Sequence, residues 1–420
     1  MLAIFEILCY NGSGVECSDL ARRGCLTLNI FKKIYKRLVL MIISAFLVFN
    51  LCGCENVGFN FNSNDKQAAE QDQQLGIDEK FEGYSTYFYE QLTPKEQGLY
   101  KEILATLQKR GEKVKISVRD KATIDKIYSC VMNDHPEIFY VSGYSLTQGS
   151  ETYFSGTYIY SKEEINSRKQ KIDEYVAKCF AHIPTNADGY TKVKNVYEYI
   201  ISNTRYESVE GEDQNICSVF ILGKSVCMGY SKATQYLLNC LGVKTILVTG
   251  YANIVINGVH ISAGNQGDNH AWNQVLIDGN WYCVDTTWGG GFSSEGTSEK
   301  GGKPINYDYL LCTTNEFNIA HKVSENIKVP LCNHSEQNYF VREGAYFETV
   351  DLDKFGSLVK RQISNKKHVI SIKCGSQEIY SKMKKILIQD GKIRDYISKN
   401  QGETLYQSSS DDMLTLTFFF

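Results

Sequence analysis

Cys227, His270 and Asp285 occur in that order along the chain. They are the types that acyl transfer needs: a soft nucleophile, a base to carry its proton, and a carboxylate to orient the base. Gly223-Lys-Ser-Val-Cys227-Met-Gly-Tyr230 leads into a segment where Tyr230, Ala233, Leu237 and Leu241 form one apolar helix face, closed by Gly242. Cys227 therefore stands at a helix N-terminus, where unpaired backbone N–H groups and the positive dipole end favour a thiolate.

The histidine and the carboxylate fall on a predicted hairpin. His270-Ala-Trp272-Asn-Gln-Val-Leu-Ile277 is followed by Asp278-Gly279 and then by Asn280-Trp-Tyr-Cys-Val-Asp285-Thr-Thr-Trp288. Asp-Gly between alternating apolar runs predicts a two-residue turn. Ile277 then pairs with Asn280, and all paired numbers sum to 557. In that register Trp272 faces Asp285, His270 faces Thr287, and all four share a sheet face. His270 and Asp285 become diagonal neighbours ~7 to 8 Å apart at the backbone, a gap that polar side chains close. Taken singly, each residue has a plain alternative: an inert buried thiol, a hydrogen-bonded strand histidine, a strand-end carboxylate. Their joint order and parity favour catalysis.

Val226-Cys227-x-Gly-Tyr230, His270-Ala-Trp-Asn-x-Val and Trp281-Tyr-x-Val-Asp285-x-Thr-Trp288 resemble the transglutaminase-like superfamily of papain-like cysteine enzymes, over about residues 190 to 291. The resemblance implies an α+β fold: a papain-like, transglutaminase-like core in which a helix carrying Cys packs on an antiparallel sheet carrying His and Asp. It also implies that Cys227 is the nucleophile, His270 the general base and acid, and Asp285 the orienting residue. Attack on an amide or ester carbonyl would give a thioester, resolved by water or an amine. The Cys227 N–H and one further donor, with Gln214 as candidate, would hold the oxyanion. Trp272 and Trp288 are expected to wall the substrate groove, with Tyr230 also lining it. His260 reads as a non-catalytic loop residue. His321 and His334 lack a paired carboxylate pattern and read as structural. Cys217 and Cys283 flank the site and either pair or stay free.

Around this core, residues 81–185 read as a mostly helical region, with capping boxes at Thr93–Glu96 and Ser161–Glu164, a helix from Asp120 to Asn133, and aromatic strands at Ile138–Tyr144 and Thr152–Tyr160. Gly111 is expected to close the first of these helices. The catalytic domain is expected over 186–334, its first helix running from Tyr190 to Asn203, and a small C-terminal α/β module over 335–420. Upstream, Lys32, Lys33, Lys36 and Arg37 precede an apolar run from Leu38 to Leu51 and then Cys52-Gly53-Cys54. That run is short for a membrane span of ~20 residues and suits a signal core. Leu-Cys-Gly-Cys resembles the lipobox of bacterial lipoproteins, so residues 1–54 read as an upstream segment plus signal peptide, with Cys54 lipid-bearing. An uncleaved membrane anchor is the alternative. Residues 55–80, polar and poor in apolar side chains, read as a tether.

The 45 basic and 48 acidic residues give a net charge of −3 with neither sign dominating a long block, which argues against nucleic acid as a partner. Fourteen cysteines without a Cys-x-x-Cys pair argue against structural zinc. No metal or organic cofactor is implied, although some members of the wider superfamily use calcium. The expectation is a lipid-anchored cysteine hydrolase or acyltransferase on the outer face of the cytoplasmic membrane, acting on peptide or protein substrates at the cell surface. A noncatalytic adhesion module on the same scaffold is the alternative.

Overall fold

The computed structural model describes residues 86–111, 113–256, 259–262, 270–290, 305–324, 328–397 and 406–419, all within the compact unit Gln73–Phe420. The expected signal peptide, Cys54 and the expected tether lie outside the described residues.

Local sequence rules account for most helix starts. Thr93 Oγ1 accepts from the Glu96 N–H while the Glu96 carboxylate accepts from the Thr93 N–H at 2.9 Å, opening the helix Pro94–Lys109. Ser161 and Glu164 repeat the device for Lys162–Phe180. Asp120 caps Lys121–Asp134, and Asp188 caps Gly189–Asn203. Arg110, at φ 51°, takes the left-handed position expected of a glycine, while the Gly111 N–H closes the first helix on the Thr106 carbonyl at 3.0 Å. Tertiary contacts hold Arg110 there, since its guanidinium lies over the Tyr158 ring and donates to the Tyr160 carbonyl at 2.7 Å.

Strands β1 (Val114–Ile116), β2 (Val141–Gln148) and β3 (Thr152–Tyr158) form an antiparallel sheet in the order β1-β3-β2, so the N-terminal region is more mixed than expected. Strands β4 (Arg205–Tyr206) and β5 (Lys224–Ser225) pair in parallel just ahead of the Cys227 helix, which runs Cys227–Cys240. The central sheet contains β6 (Thr245–Ile256), β7 (Val259–Ser262), β8 (His270–Ile277), β9 (Asn280–Val284), β10 (Leu310–Cys312) and β11 (His321–Val323). Its order is β10-β9-β8-β6-β11, with β7 also on β6. His260 lies on β7 opposite Val255, not in a loop. The β8–β9 ladder keeps the predicted register from Asn273↔Val284 to Ile277↔Asn280, with Asp278 and Gly279 both at positive φ.

The C-terminal module is a sheet in the order β12-β13-β15-β14, built from β12 (Tyr346–Phe347), β13 (Val369–Cys374), β14 (Tyr406–Ser410) and β15 (Thr415–Phe419). It is joined to the segments flanking β10 through polar groups. Thr415 Oγ1 donates to Asp308 at 3.1 Å, and Lys373 pairs with Glu316 at 3.0 Å. Burial pushes the Asp308 carboxyl up to about 6 against the pull of Lys373 and Thr415.

Two polar ties fix the Cys227 helix to the sheet. Asn273 Nδ2, on β8, donates to the Ser231 carbonyl at 3.0 Å and to the Ile246 carbonyl at 3.2 Å. Thr234 Oγ1 lies 3.0 Å from Thr286 Oγ1, one residue after Asp285. The helix is therefore held both to the strand bearing His270 and to the segment bearing Asp285.

Candidate active site

Cys227 is the first residue of its helix, with Val226 as an N-cap whose side chain makes no capping hydrogen bond. The following Gly229 is required by space: a Cβ there would stand 2.1 Å from Ser225 Oγ, 2.6 Å from Ser218 Oγ and 2.9 Å from the Asp213 carbonyl. The loop preceding Cys227 thus packs directly on the first helical turn.

His270 opens β8 and is 7% exposed. Its Nε2–H donates to Asp285 Oδ2 at 2.7 Å. Burial alone would lower the imidazole pKa, but the Asp285 charge and hydrogen bond, joined by an interaction with the Cys227 thiol, hold it up at about 9. With Nε2 committed to Asp285, Nδ1 is the ring nitrogen left to serve Cys227.

Asp285 reaches His270 by a different route from the one the hairpin register suggests. The ladder ends at Val284, and Asp285 (φ −130°, ψ 98°) leaves the strand to cap the short helix Thr286–Gly289. Its Oδ1 accepts from the Thr287 and Trp288 N–H groups at 2.8 and 3.1 Å, which turns Oδ2 toward His270. Oδ2 also accepts from His321 Nε2 at 3.0 Å. Burial would raise the Asp285 pKa, yet the two histidines hold it well below the usual carboxylate range. The carboxylate accepts four hydrogen bonds, its full capacity.

His321 corrects the expectation of a histidine without a carboxylate partner. It begins β11 at the sheet edge and is 3% exposed. Its ring lies 3.9 Å from Phe317 and 4.7 Å from Trp288, measured between centroids. Burial lowers its pKa against the pull of Asp285, and the neighbouring His270 lowers it further. Tyr206 is a second neighbour that the motifs did not indicate. The residue is 53% exposed, but cover over its hydroxyl, followed by the proximity of Cys227 and Asp285, pushes that group up to about 12, while the Cys227 backbone N–H pulls the other way.

His270, Asp285 and His321 place their ligand-type atoms within 4.8 Å of one another. The separations of 2.7 and 3.0 Å are hydrogen-bond lengths, whereas two ligands of a tetrahedral zinc with ~2.0–2.1 Å bonds stand roughly 3.3 Å apart. As arranged, both histidines are hydrogen-bonded to Asp285.

The profile of the transglutaminase-like superfamily matches residues 152–286, a stretch containing Cys227, His270 and Asp285. Residues 152–286 of the chain are transglutaminase-like. Among curated proteins it is 25% identical to human (Homo sapiens) kyphoscoliosis peptidase over 137 residues, which is 31% of this chain and 20% of that protein. It is 27% identical to the mouse (Mus musculus) kyphoscoliosis peptidase over 114 residues, 26% of this chain and 17% of that one. The chain thus spans about a fifth of the length of the curated relatives it matches. A crystal structure of a TGase aligns at 16% identity over 45% of this chain and 53% of that one, with a TM-score of 0.25.

Within this transglutaminase-like site, two expected groove residues are buried instead. Trp272 is 1% exposed and lies beneath His270, ring centroids 6.0 Å apart, with Phe317 on it at 5.3 Å. The segment between β10 and β11 covers that sheet face, and Ile246, Val248, Tyr309 and Phe317 close a second apolar cluster around the indole. Tyr230 is equally buried, its hydroxyl donating to the Thr204 carbonyl at 2.8 Å. Trp288 is half-buried, 5.9 Å from the His270 ring. Gln214 sits on an exposed turn with its amide donating to Asp213 at 3.2 Å. Cys217 and Cys283 are free thiols. Burial pushes Cys217 up to about 11, and Cys283 lies 3.5 Å from Cys332. His334 is exposed, 3.4 Å from Glu336.

Proposed function

We propose that this protein is a cysteine hydrolase or acyltransferase acting on amide bonds of peptides or proteins, with Cys227 as nucleophile, His270 as proton carrier and Asp285 as orienting residue. The observation that carries this reading is the buried 2.7 Å hydrogen bond from His270 to Asp285, made by an imidazole that also interacts with the Cys227 thiol. A histidine held at about 9 is an imidazolium at neutral pH, the partner a thiolate needs and the acid a leaving amine needs. Cys227 Sγ attacks the carbonyl carbon, and the tetrahedral oxyanion forms beside the Cys227 N–H. The Tyr206 hydroxyl, which stands by that N–H, is better placed than Gln214 to be the second donor. The imidazolium gives its proton to the departing nitrogen as the thioester forms. Neutral His270 then takes a proton from water or an incoming amine, whose attack releases Cys227.

The upstream lipobox-like sequence extends the proposal to a lipid-anchored enzyme outside the cytoplasmic membrane. The test of the catalytic reading is alkylation by iodoacetamide near pH 6, mapped residue by residue. Cys227 should be the fastest of the fourteen cysteines and should slow in His270→Ala. A Cys227 no more reactive than an ordinary thiol of pKa about 8.5 would remove the main support and favour a noncatalytic binding module.

A further inference from the structure

We propose that His321 is a positioning residue of this site: a second, neutral imidazole on the Asp285 oxygen that serves His270, which keeps the His270 proton releasable. The inference rests on the cysteine-enzyme reading above for its catalytic meaning, and on independent geometry for its substance. Both Nε2–H groups reach the same atom, Asp285 Oδ2, at 2.7 and 3.0 Å. The other oxygen is occupied by the Thr287 and Trp288 N–H groups, so the carboxylate is pinned without help from His321. His321 is therefore not needed to aim Asp285. What it changes is how much of the charge on Oδ2 is left for His270.

The packing selects the state of the His321 ring. Phe317 at 3.9 Å, Trp288 at 4.7 Å, Trp272 at 5.4 Å and Tyr309 at 5.5 Å surround it, an apolar jacket that disfavours a second cation beside imidazolium His270. A neutral ring that donates through Nε2 shares Oδ2 while adding no net charge. Burial keeps Tyr197, Tyr309 and Cys312 protonated across the working range, and the half-exposed Tyr206 hydroxyl is likewise pushed up. Asp285 and Cys227 act on the His270 ring directly, and His321 meets it through the shared Asp285 Oδ2. An acid whose pKa is pushed ever higher gives up its proton ever more reluctantly, and a shared acceptor limits that rise.

The experiment follows His270 by NMR of the chain labelled at histidine Cε1, with thermal melts on every variant. His321→Phe keeps a ring in the aromatic jacket and deletes the donor; His321→Gln restores an N–H donor at similar reach. The expected result is that the His270 midpoint rises by about half a pH unit or more in His321→Phe and returns toward the wild-type value in His321→Gln. A merely structural role would lower the melting temperature of both variants and leave the midpoint in place. A folded His321→Phe protein with an unchanged or lower His270 midpoint overturns the proposal. Should that variant not fold, the same readings on His321→Leu decide it. His270→Ala is run in parallel for Cys227 alkylation: an undiminished rate there defeats the enzyme reading alone, whatever the His321 variants show.

Discussion

Asp285→Asn isolates the charge of the site from its shape. The side chain is buried and nearly isosteric, and an amide oxygen placed at Oδ1 can still accept from the Thr287 and Trp288 N–H groups. Its NH2 group then faces two imidazole N–H donors that previously shared Oδ2. At least one ring must change tautomer, and the ion pair is lost. The pKa near 9 stands roughly 2.5 units above an ordinary histidine at 6.5, worth about 3 kcal/mol of preference for the imidazolium. In the variant, burial acts unopposed by the carboxylate and the midpoint should fall below about 6.5. At pH 8 the imidazolium should drop from about nine-tenths to a few hundredths of the molecules, a loss of roughly 30-fold. Turnover, which needs the imidazolium as acid, should decline in proportion.

Stability carries the same signature. A folded-state pKa above the unfolded one stabilises the protein fully below about pH 6.5, and that contribution disappears as pH rises through about 9. Wild type should therefore lose about 3 kcal/mol more than Asp285→Asn between pH 6 and 10 in urea melts. If histidine NMR shows His270 of Asp285→Asn still titrating near 9, or if the two proteins lose stability in parallel, the ion-pair account is wrong.

Gly250 pairs with both His270 and Val323, and a Cβ there would lie 2.1 Å from the Lys322 carbonyl and 2.8 Å from the Trp272 ring. Gly250→Ala should cost about 1–3 kcal/mol in a thermal or urea melt, with a loss under about 0.5 kcal/mol showing that β11 adjusts freely. Asn273→Ala removes the amide that ties the His270 strand to the Cys227 helix. It should cost about 1–3 kcal/mol and slow Cys227 alkylation in the folded fraction; an unchanged rate would mean that other contacts set the spacing of the two residues.

Local rules made the helix starts, the Asp278-Gly279 hairpin and its register legible, because capping boxes and a two-residue turn are decided by residues within a few positions of one another. The same short range put Cys227 at its helix end and His270 on its strand. Parity placed Asp285 near His270 but not by the right path, since the strand-ending turn that frees Asp285 is fixed by its own capping bonds. The left-handed conformation of Arg110, and the burial of Trp272 and Tyr230, followed from partners far away in sequence. His321 was least legible of all. No spacing in its own segment signals a site, and only the edge pairing of β11 with β6 brings it to Asp285. The order of nucleophile, base and carboxylate is thus written along the chain, whereas the number of donors on that carboxylate is decided by which strand closes the sheet.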